Sequence, residues 1–447
     1  MIYYLRILSR FDRILKNNRW RNFMSLTKEV YQAYCDILKE ELRLAMGCTE
    51  PIAIAYSASI ARSYLSSDPT MISIQLSGNI IKNTKSVVVP ATGGMHGIPA
   101  AIAAGTIANK PELVLEVLSS LHEEDVPKMK TLIETCPIEV KELDTTHIFE
   151  IIITMKNDDE TVCARLLDRH TNLVYVEKNG EVIIRNEQEE EDGGIKTDRS
   201  LLTVEDIVAF AEEVNLDDVR ELLERQISCN MAIAEEGIKN NYGACIGKVI
   251  YKNGDCSLPD KARAYAAAGS DARMNGCELP VCIISGSGNQ GMTASIPIVI
   301  YARELGKSEE EMLRAVVLSD LITTHLKTGI GCLSAYCGAI SAGCGAGAGI
   351  AYLQGGKFAE VAHTIVNSLA ILSGTICDGA KSSCAAKIAM AVESGILGYE
   401  MYKNGQQFYG GDGIISKGVE NTIVNVGKLA REGMAGTDKE IIKIMLQ

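Results

Sequence analysis

The hydrophobic pattern of this 447-residue chain changes character twice. Apolar residues recur every three or four positions over residues 26–65, which predicts helix with an interruption at GCTEP, residues 47–51. Over residues 137–185 apolar and polar residues alternate, which predicts strands, and Asn179 with Gly180 predicts a hairpin turn. Helical spacing returns at Thr203, which begins a predicted capping box, and continues to the C-terminus.

These patterns predict an α+β fold. Residues 24–195 are expected to form a mixed α/β domain with a small antiparallel sheet, and residues 196–447 a mostly helical domain. The acidic run at residues 187–194 is typical of a solvated linker. Residues 1–23 carry six basic residues against one acid, and we interpret them as a basic extension that is not native or is disordered.

Composition narrows the class of function. The net charge of −13 leaves no basic surface to neutralise the phosphates of a nucleic acid, so a small-molecule enzyme is favoured. No charged residue occurs between Lys327 and Lys357, but glycines interrupt the stretch, which indicates a closely packed buried helix and no membrane span. The N-terminus lacks the pattern of a secretory signal, so we expect a cytoplasmic protein.

A glycine motif, G-x-G-x-x-G at Gly286, Gly288 and Gly291, follows an apolar run. A nicotinamide-binding fingerprint would need an acidic residue at the end of a second strand, whereas the acids near the expected position begin a helix. Two interpretations stay open. The loop presents backbone N–H groups and Asn289 to an anion such as a substrate carboxylate, or it is a ligand-free packed turn.

Fourteen cysteines are unusual for a chain without an export signal. The later ones stand at positions 332, 337, 344, 377 and 384, with no C-x-x-C pair among them. Seven residues along one helix separate Cα atoms by about 10 Å, too far for a single small ion. With only six histidines in the chain, the alternatives are an iron–sulfur cluster and buried structural cysteines. Cys48 is expected at a helix N-terminus, where the dipole would lower its pKa.

Five segments together resemble the L-cysteine desulfidase family, which is related to the α-chain of iron–sulfur L-serine dehydratases. They are MGCTEPIAIAYSASIAR, LSGNIIKNTKSVVVPATGG, ISGSGNQGMTASIPI, LSAYCGAISAGCGAGAG and GTICDGAKSSCAAKIAM. The resemblance extends from about Met24 to the C-terminus, and GCTEP and CDGAK are its most specific motifs. It implies an oxygen-sensitive 4Fe-4S cluster, and therefore a helical cluster-binding domain.

The resemblance also implies residue roles. Cys337, Cys377 and Cys384 occupy the ligand positions, and the proton-abstracting residue falls on Cys48. A competing assignment makes Cys48 a ligand and Cys384 a bystander. We interpret Cys344 and Cys332 as non-ligands.

The implied reaction is β-elimination of L-cysteine to sulfide, ammonia and pyruvate through aminoacrylate, at an iron atom without a protein ligand. Asn79, Asn289 and Lys381 are candidate substrate contacts. One alternative is L-serine dehydration by the same mechanism, and another is a cluster-binding sensor without catalysis. The expected partner is a small amino-acid substrate, and a homodimer is expected from the frequency of such assemblies.

Overall fold

A computed structural model describes residues 26–186, 197–252, 256–331 and 333–446. The described strands are β1 Arg43–Met46, β2 Met71–Leu76, β3 Ile138–Glu142, β4 Glu150–Lys156, β5 Thr161–Leu167, β6 Leu173–Lys178, β7 Glu181–Arg185 and β8 Pro280–Ile283. The helices of the first part are α1 Lys28–Glu41, α2 Thr49–Ser63, α3 Gly78–Thr84, α4 Gly97–Ala108 and α5 Val126–Thr135.

The later helices are α6 Val204–Glu213, α7 Arg220–Lys239, α8 Ile246–Lys252, α9 Leu258–Met274, α10 Gly288–Glu304, α11 Glu309–Ile330, α12 Gly338–Leu353, α13 Phe358–Ile371, α14 Cys384–Lys403, α15 Val419–Lys428 and α16 Ala435–Leu446. Helices dominate the second half and strands cluster in the first. The predicted α+β class is therefore confirmed.

Strands β2 to β7 form a sheet in the order β3-β2-β4-β5-β6-β7, in which only the β2–β3 pair is parallel. Alternate residues of the central strands, such as Ile72 and Ile74 on β2, are buried, because one face of the sheet packs against α2, which in turn packs against α4. Asn179 and Gly180 join β6 to β7 with φ values of 52° and 84°, as the hairpin prediction requires.

The helical part is built around α12, which is packed by α10, α11, α13 and α14. Glycine and alanine on these helices let their backbones approach closely. A Cβ atom at Gly395 on α14 would lie 2.2 Å from the backbone oxygen of Gly343 on α12. The uncharged stretch thus forms a closely packed buried helix, and no described helix is both long and apolar enough to cross a membrane.

The chain crosses between its two parts more than once. Helix α1 and strand β1 join the helical core, where β1 pairs antiparallel with β8. At the other end, α16 returns to α3, and Lys82 forms an ion pair of 2.5 Å with Asp438. The predicted division at residues 195 and 196 stays a prediction, and both the basic extension 1–23 and the linker 187–194 lie outside the described residues.

Candidate active site

We call β2 to β7 with α2 to α5 the sheet part, and the helices from α6 onward the helical part. A cavity of about 110 Å³ lies where the two meet. Five of the sequence-predicted site residues line it: Cys48, Asn289, Cys337, Cys377 and Cys384. They come from segments far apart in the sequence, namely the start of α2, the start of α10, the start of α12 and the loop that leads into α14. The tertiary fold therefore concentrates four of the cysteines around one space.

Two adjacent backbone segments bring Cys337 and Cys377 together. The Cys337 amide donates to the oxygen of Thr375 at 3.1 Å, and the Cys377 amide donates to that of Ala335 at 2.6 Å. A bridge between Tyr336 and Ile376 lies between these bonds. The side chains of the two cysteines hydrogen-bond each other, which lowers the pKa of Cys377 to about 6 despite its burial.

The third cysteine of this group, Cys384, begins α14, so the predicted break between positions 377 and 384 is present. Gly379 makes that break, with a φ of 95° that disfavours any side chain. A Cβ atom there would also lie 2.2 Å from the backbone oxygen of Lys82 on α3. The loop from Cys377 to Cys384, which we call the cysteine loop, therefore packs directly against α3 of the sheet part.

Cations surround the cysteine loop. Lys381 and Lys387 both contact the Asp378 carboxylate at 2.5 Å, and although burial opposes them they lower the pKa of Asp378 to about 2. Lys82 and Lys387 also favour the thiolate form of Cys377. Negative charge is therefore favoured on Cys377, whereas its hydrogen bond with Cys377 raises the pKa of Cys337 and burial raises that of Cys384.

Cys48 caps α2 and is buried, with its Sγ donating to Glu50 Oε2 at 3.1 Å. Burial, and then the Glu50 charge, raise the pKa of this thiol well above its usual range, while Arg273 acts in the opposite direction. The expectation that the helix dipole would lower this pKa is wrong. Desolvation and an adjacent carboxylate outweigh the half-charge of a helix terminus here.

Glu50 is the centre of a network that the sequence analysis missed. Its carboxylate accepts hydrogen bonds from Cys48, from the Thr49 hydroxyl at 3.1 Å and from the Asn83 amide at 2.9 Å. The Gly286 oxygen lies 3.0 Å from the same Thr49 hydroxyl, whose single proton can serve either acceptor, and this contact links the network to the glycine loop. A buried carboxylate in the GCTEP motif next to a candidate catalytic cysteine was the available signal.

Several buried polar atoms of the cavity lining have no hydrogen-bond partner within the described part of the chain. They are Arg273 Nε, Asn289 Oδ1, Gln290 Oε1 and the Tyr336 hydroxyl. Because buried polar groups are nearly always paired, these atoms indicate a space that takes a polar ligand. The sequence did carry a signal for Arg273, because a charged residue on an alanine-rich, and therefore buried, helix is unusual.

Two candidate substrate contacts lie outside the cavity lining. Asn79 is on α3, with its Oδ1 buried and without a partner among the described residues. The Lys381 ammonium donates to the backbone oxygens of Asp378 and Gly379, both at 3.2 Å. Cys344 is also outside the lining, where it donates to the Ser368 hydroxyl at 3.1 Å, and Cys332 is not among the described residues.

The donor set of the cavity fits an iron–sulfur cluster better than a single ion. Four thiols and no imidazole line it, and thiolates are the ligands that such clusters use. Across the described ranges, no three cysteine, histidine or acidic side chains are close enough together to hold one metal ion. Wider spacing with flanking lysines is compatible with a multi-iron group.

Comparison with known proteins decides the family. The family model described as "Serine dehydratase alpha chain" matches residues 112–443. The chain belongs to the serine dehydratase alpha chain family. This family is generally linked to iron–sulfur clusters, and membership indicates a lyase-type enzyme. The predicted relation to the iron–sulfur serine dehydratases is confirmed.

Relatives cover nearly the whole chain. A UPF0597 protein of Desulfitobacterium hafniense (strain Y51) is 57% identical over 426 residues, which cover 95% of this chain and 99% of that protein. A UPF0597 protein of Treponema denticola is 45% identical and covers 95% of this chain and 100% of its own length. One of Lachnoclostridium phytofermentans is 47% identical and covers 93% and 100%. This member of the serine dehydratase alpha chain family is thus similar to UPF0597 proteins over nearly the whole of each chain.

Proposed function

We propose that this protein is an L-cysteine desulfidase. In the reaction the Cα–H and Cβ–S bonds of L-cysteine break, a Cα–Cβ double bond forms, and sulfide leaves. The aminoacrylate product tautomerises to an imine, and water converts it to pyruvate and ammonia. The observation that carries the proposal is one cavity that unites the Cys337, Cys377 and Cys384 thiols with the Cys48–Glu50 pair.

Cys337, Cys377 and Cys384 would hold a 4Fe-4S cluster, which supplies a Lewis-acidic iron without a protein thiolate when it is bound. Lys82 and Lys387 would balance the negative charge of these thiolates, because both already favour the thiolate form of Cys377. In the competing assignment Cys48 replaces Cys384 as a ligand. The two thiols belong to one packed group, so proximity alone favours neither assignment.

Proton transfer is assigned to Cys48 and Glu50 together. Burial keeps Cys48 protonated at rest, so its thiol needs an acceptor before it can act as a base. Glu50 Oε2, at 3.1 Å from the sulfur, is that acceptor. Cys48 passes its proton to Glu50, and the thiolate then takes the Cα proton of the substrate. The Asn83 amide keeps the other carboxylate oxygen of Glu50 in place.

L-Serine dehydration is the second candidate, because the matching family is described as a serine dehydratase chain. The same residues would serve, with water as the leaving group in place of sulfide. A comparison of kcat/KM for L-cysteine and L-serine separates the two reactions.

The test uses anaerobically purified, iron-loaded protein. With L-cysteine we expect sulfide and pyruvate in equal amounts, and kcat/KM for L-cysteine above that for L-serine. A higher value for L-serine would make the enzyme a serine dehydratase. Iron-loaded protein that forms pyruvate from neither amino acid would contradict both candidates.

A further inference from the structure

Arg273 is a buried cation for which the described residues supply no partner. It is the second-to-last residue of α9, is only 2% exposed and lines the cavity. Among the described residues, no hydrogen bond or ion pair reaches its guanidinium, and its Nε is buried without a partner. An unpaired buried charge is costly, so a guanidinium in this position is suited to an anion that enters the cavity.

The first turn of α10 lies directly against this guanidinium. A Cβ atom at Gly288 would be 2.5 Å from Arg273 Nε and 2.9 Å from its Cζ, so only glycine admits the arginine here. Helix α10 is 17 residues long, and its N-terminal N–H groups and dipole also favour an anion. Two independent sources of positive potential therefore face the same part of the cavity.

Hydrogen-bond acceptors lie beside the Arg273 guanidinium and the N-terminus of α10. Asn289 and Gln290 follow Gly288 in the first turn of α10 and line the cavity. Their amide oxygens are buried and have no partner in the described ranges, so they can accept from an ammonium group. An anion receptor next to ammonium acceptors matches the carboxylate and amino group of an α-amino acid.

Other anions of the cavity have their own partners. Glu50 already accepts from Cys48, Thr49 and Asn83. The lysines near the cysteine loop are paired as well, Lys381 and Lys387 with Asp378 and Lys82 with Asp438. Arg273 thus differs from these lysines, because none of the ion pairs within the described ranges includes it.

We propose that Arg273, with the first turn of α10, binds the α-carboxylate of the substrate and restricts the site to α-amino acids with a free carboxylate. Asn289 and Gln290 accept from the α-ammonium group. This assignment rests on the proposed function for its substrate class. It goes beyond that function by predicting that amines without a carboxylate are rejected.

The test separates binding from turnover by using L-alanine, which has no leaving group, and ethylamine, which also has no carboxylate. Calorimetric titrations are made on iron-loaded wild type, Arg273→Gln, Arg273→Lys and the control Arg225→Gln. Arg225 is on α7, outside the cavity lining, and its Nε is likewise buried without a partner in the described structure.

We expect wild type and Arg225→Gln to bind L-alanine but not ethylamine. Arg273→Gln should lose L-alanine binding, keep its iron, and show a kcat/KM for L-cysteine lower by roughly 100-fold, as for loss of a buried charge partner. Arg273→Lys should recover part of the binding, because lysine restores the charge without the planar fork. If Arg273→Gln does not fold, Gly288→Ala replaces it, since the added methyl group would clash with the guanidinium as well as with Val281.

Three results would overturn the assignment: L-alanine affinity in Arg273→Gln within about threefold of wild type, no L-alanine binding by wild type, or loss of iron from Arg273→Gln. Failure of the proposed function gives a different pattern. In that case wild type forms no pyruvate from L-cysteine or L-serine, yet L-alanine binds and the binding depends on Arg273. If Arg273→Gln leaves the turnover of L-cysteine unchanged, the carboxylate-binding role of Arg273 is contradicted and the proposed function stands.

Discussion

The helical part and the sheet part contribute to the cavity in different ways. The helical part places Cys337, Cys377 and Cys384 at helix starts and on a short loop, within a frame of helices whose backbones touch. The sheet part contributes Cys48 and Glu50, from a helix that packs on one face of the sheet. Under the proposed function, the helical part would supply the cluster ligands, and the sheet part would supply the hydrogen-bonded pair that exchanges a proton.

The two parts also differ in how their charges are buried. In the sheet part the Glu50 carboxylate is fully engaged by three donors. In the helical part Arg273 is buried beside the cavity without a partner in the described residues, and Asp320 is buried with a single donor, Gln226. A satisfied network holds its geometry, whereas an unsatisfied charge is available to a ligand or a proton. Under the proposed function, the substrate carboxylate would bind at the unsatisfied Arg273 and the proton would be transferred within the Cys48–Glu50 network.

The largest expected effect comes from alanine substitutions that distinguish the proposed cluster ligands from the proposed proton-transfer cysteine. Replacing Cys337 or Cys377 by alanine should abolish iron binding and activity, because a cluster site cannot lose a thiolate without losing affinity. Cys48→Ala should keep iron and lose turnover. Iron and acid-labile sulfide analysis of anaerobic protein measures the difference, with Cys344→Ala as a control that keeps both.

The same experiment decides between the two ligand assignments. Iron loss in Cys384→Ala with iron retention in Cys48→Ala supports the cluster ligands proposed above. The reverse result would make Cys48 the third ligand, leaving Glu50 without its thiol partner in catalysis. Iron retention in all four variants would contradict a cluster in this cavity.

A second prediction tests the rigid frame of the helical part. Gly395→Ala places a methyl group 2.2 Å from the Gly343 oxygen, so α12 and α14 must move apart. We expect the free energy of unfolding to fall by about 3 kcal/mol, as in overpacked cores, measured by denaturant titration. Gly374→Ala is the matched control, because no atom lies within 4 Å of its added Cβ, and it should change stability by less than about 1 kcal/mol. Equal stabilities of the two variants would argue against close backbone contact.

A third prediction uses the buried carboxyl of the helical part. Burial raises the pKa of Asp320 to about 8, although the Gln226 bond opposes the shift. Between about pH 4 and pH 8 the folded state keeps a proton that the unfolded state releases, so stability falls as pH rises through this window. Asp320→Asn should remove this fall, gaining about 4 kcal/mol relative to wild type from pH 5 to pH 8, because each pH unit of the window costs wild type about 1.4 kcal/mol. Parallel unfolding curves for the two proteins across that range would contradict a protonated Asp320.

The smallest effects are expected from the two candidate contacts outside the cavity lining. Lys381 holds the cysteine loop through backbone oxygens and a partly exposed ion pair, so Lys381→Met should cost less than about 1 kcal/mol. For Asn79→Ala and Lys381→Met we expect kcat/KM for L-cysteine within about fivefold of wild type. A loss comparable to that of Arg273→Gln would show that these residues reach the substrate when the cavity is occupied.

Local features of the fold were predictable because they depend on neighbouring residues. The alternation before Arg185, the turn at Asn179 and Gly180, and the uncharged helix after Lys327 need only short-range spacing and composition. The break between Cys377 and Cys384 was predictable for the same reason, because glycine marks it. The cysteines themselves were identifiable as candidates from residue type and from family resemblance.

What the sequence by itself determined was therefore the order and type of elements and a short list of sulfur ligands. Only the tertiary structure decided that Cys48 is a high-pKa thiol paired with Glu50, and that Arg273 stands unpaired against the first turn of α10. The physical reason is that ionisation depends on burial and on charges brought together from distant parts of the chain. A helix-terminal position alone could not predict the balance between a dipole, a carboxylate and the loss of water.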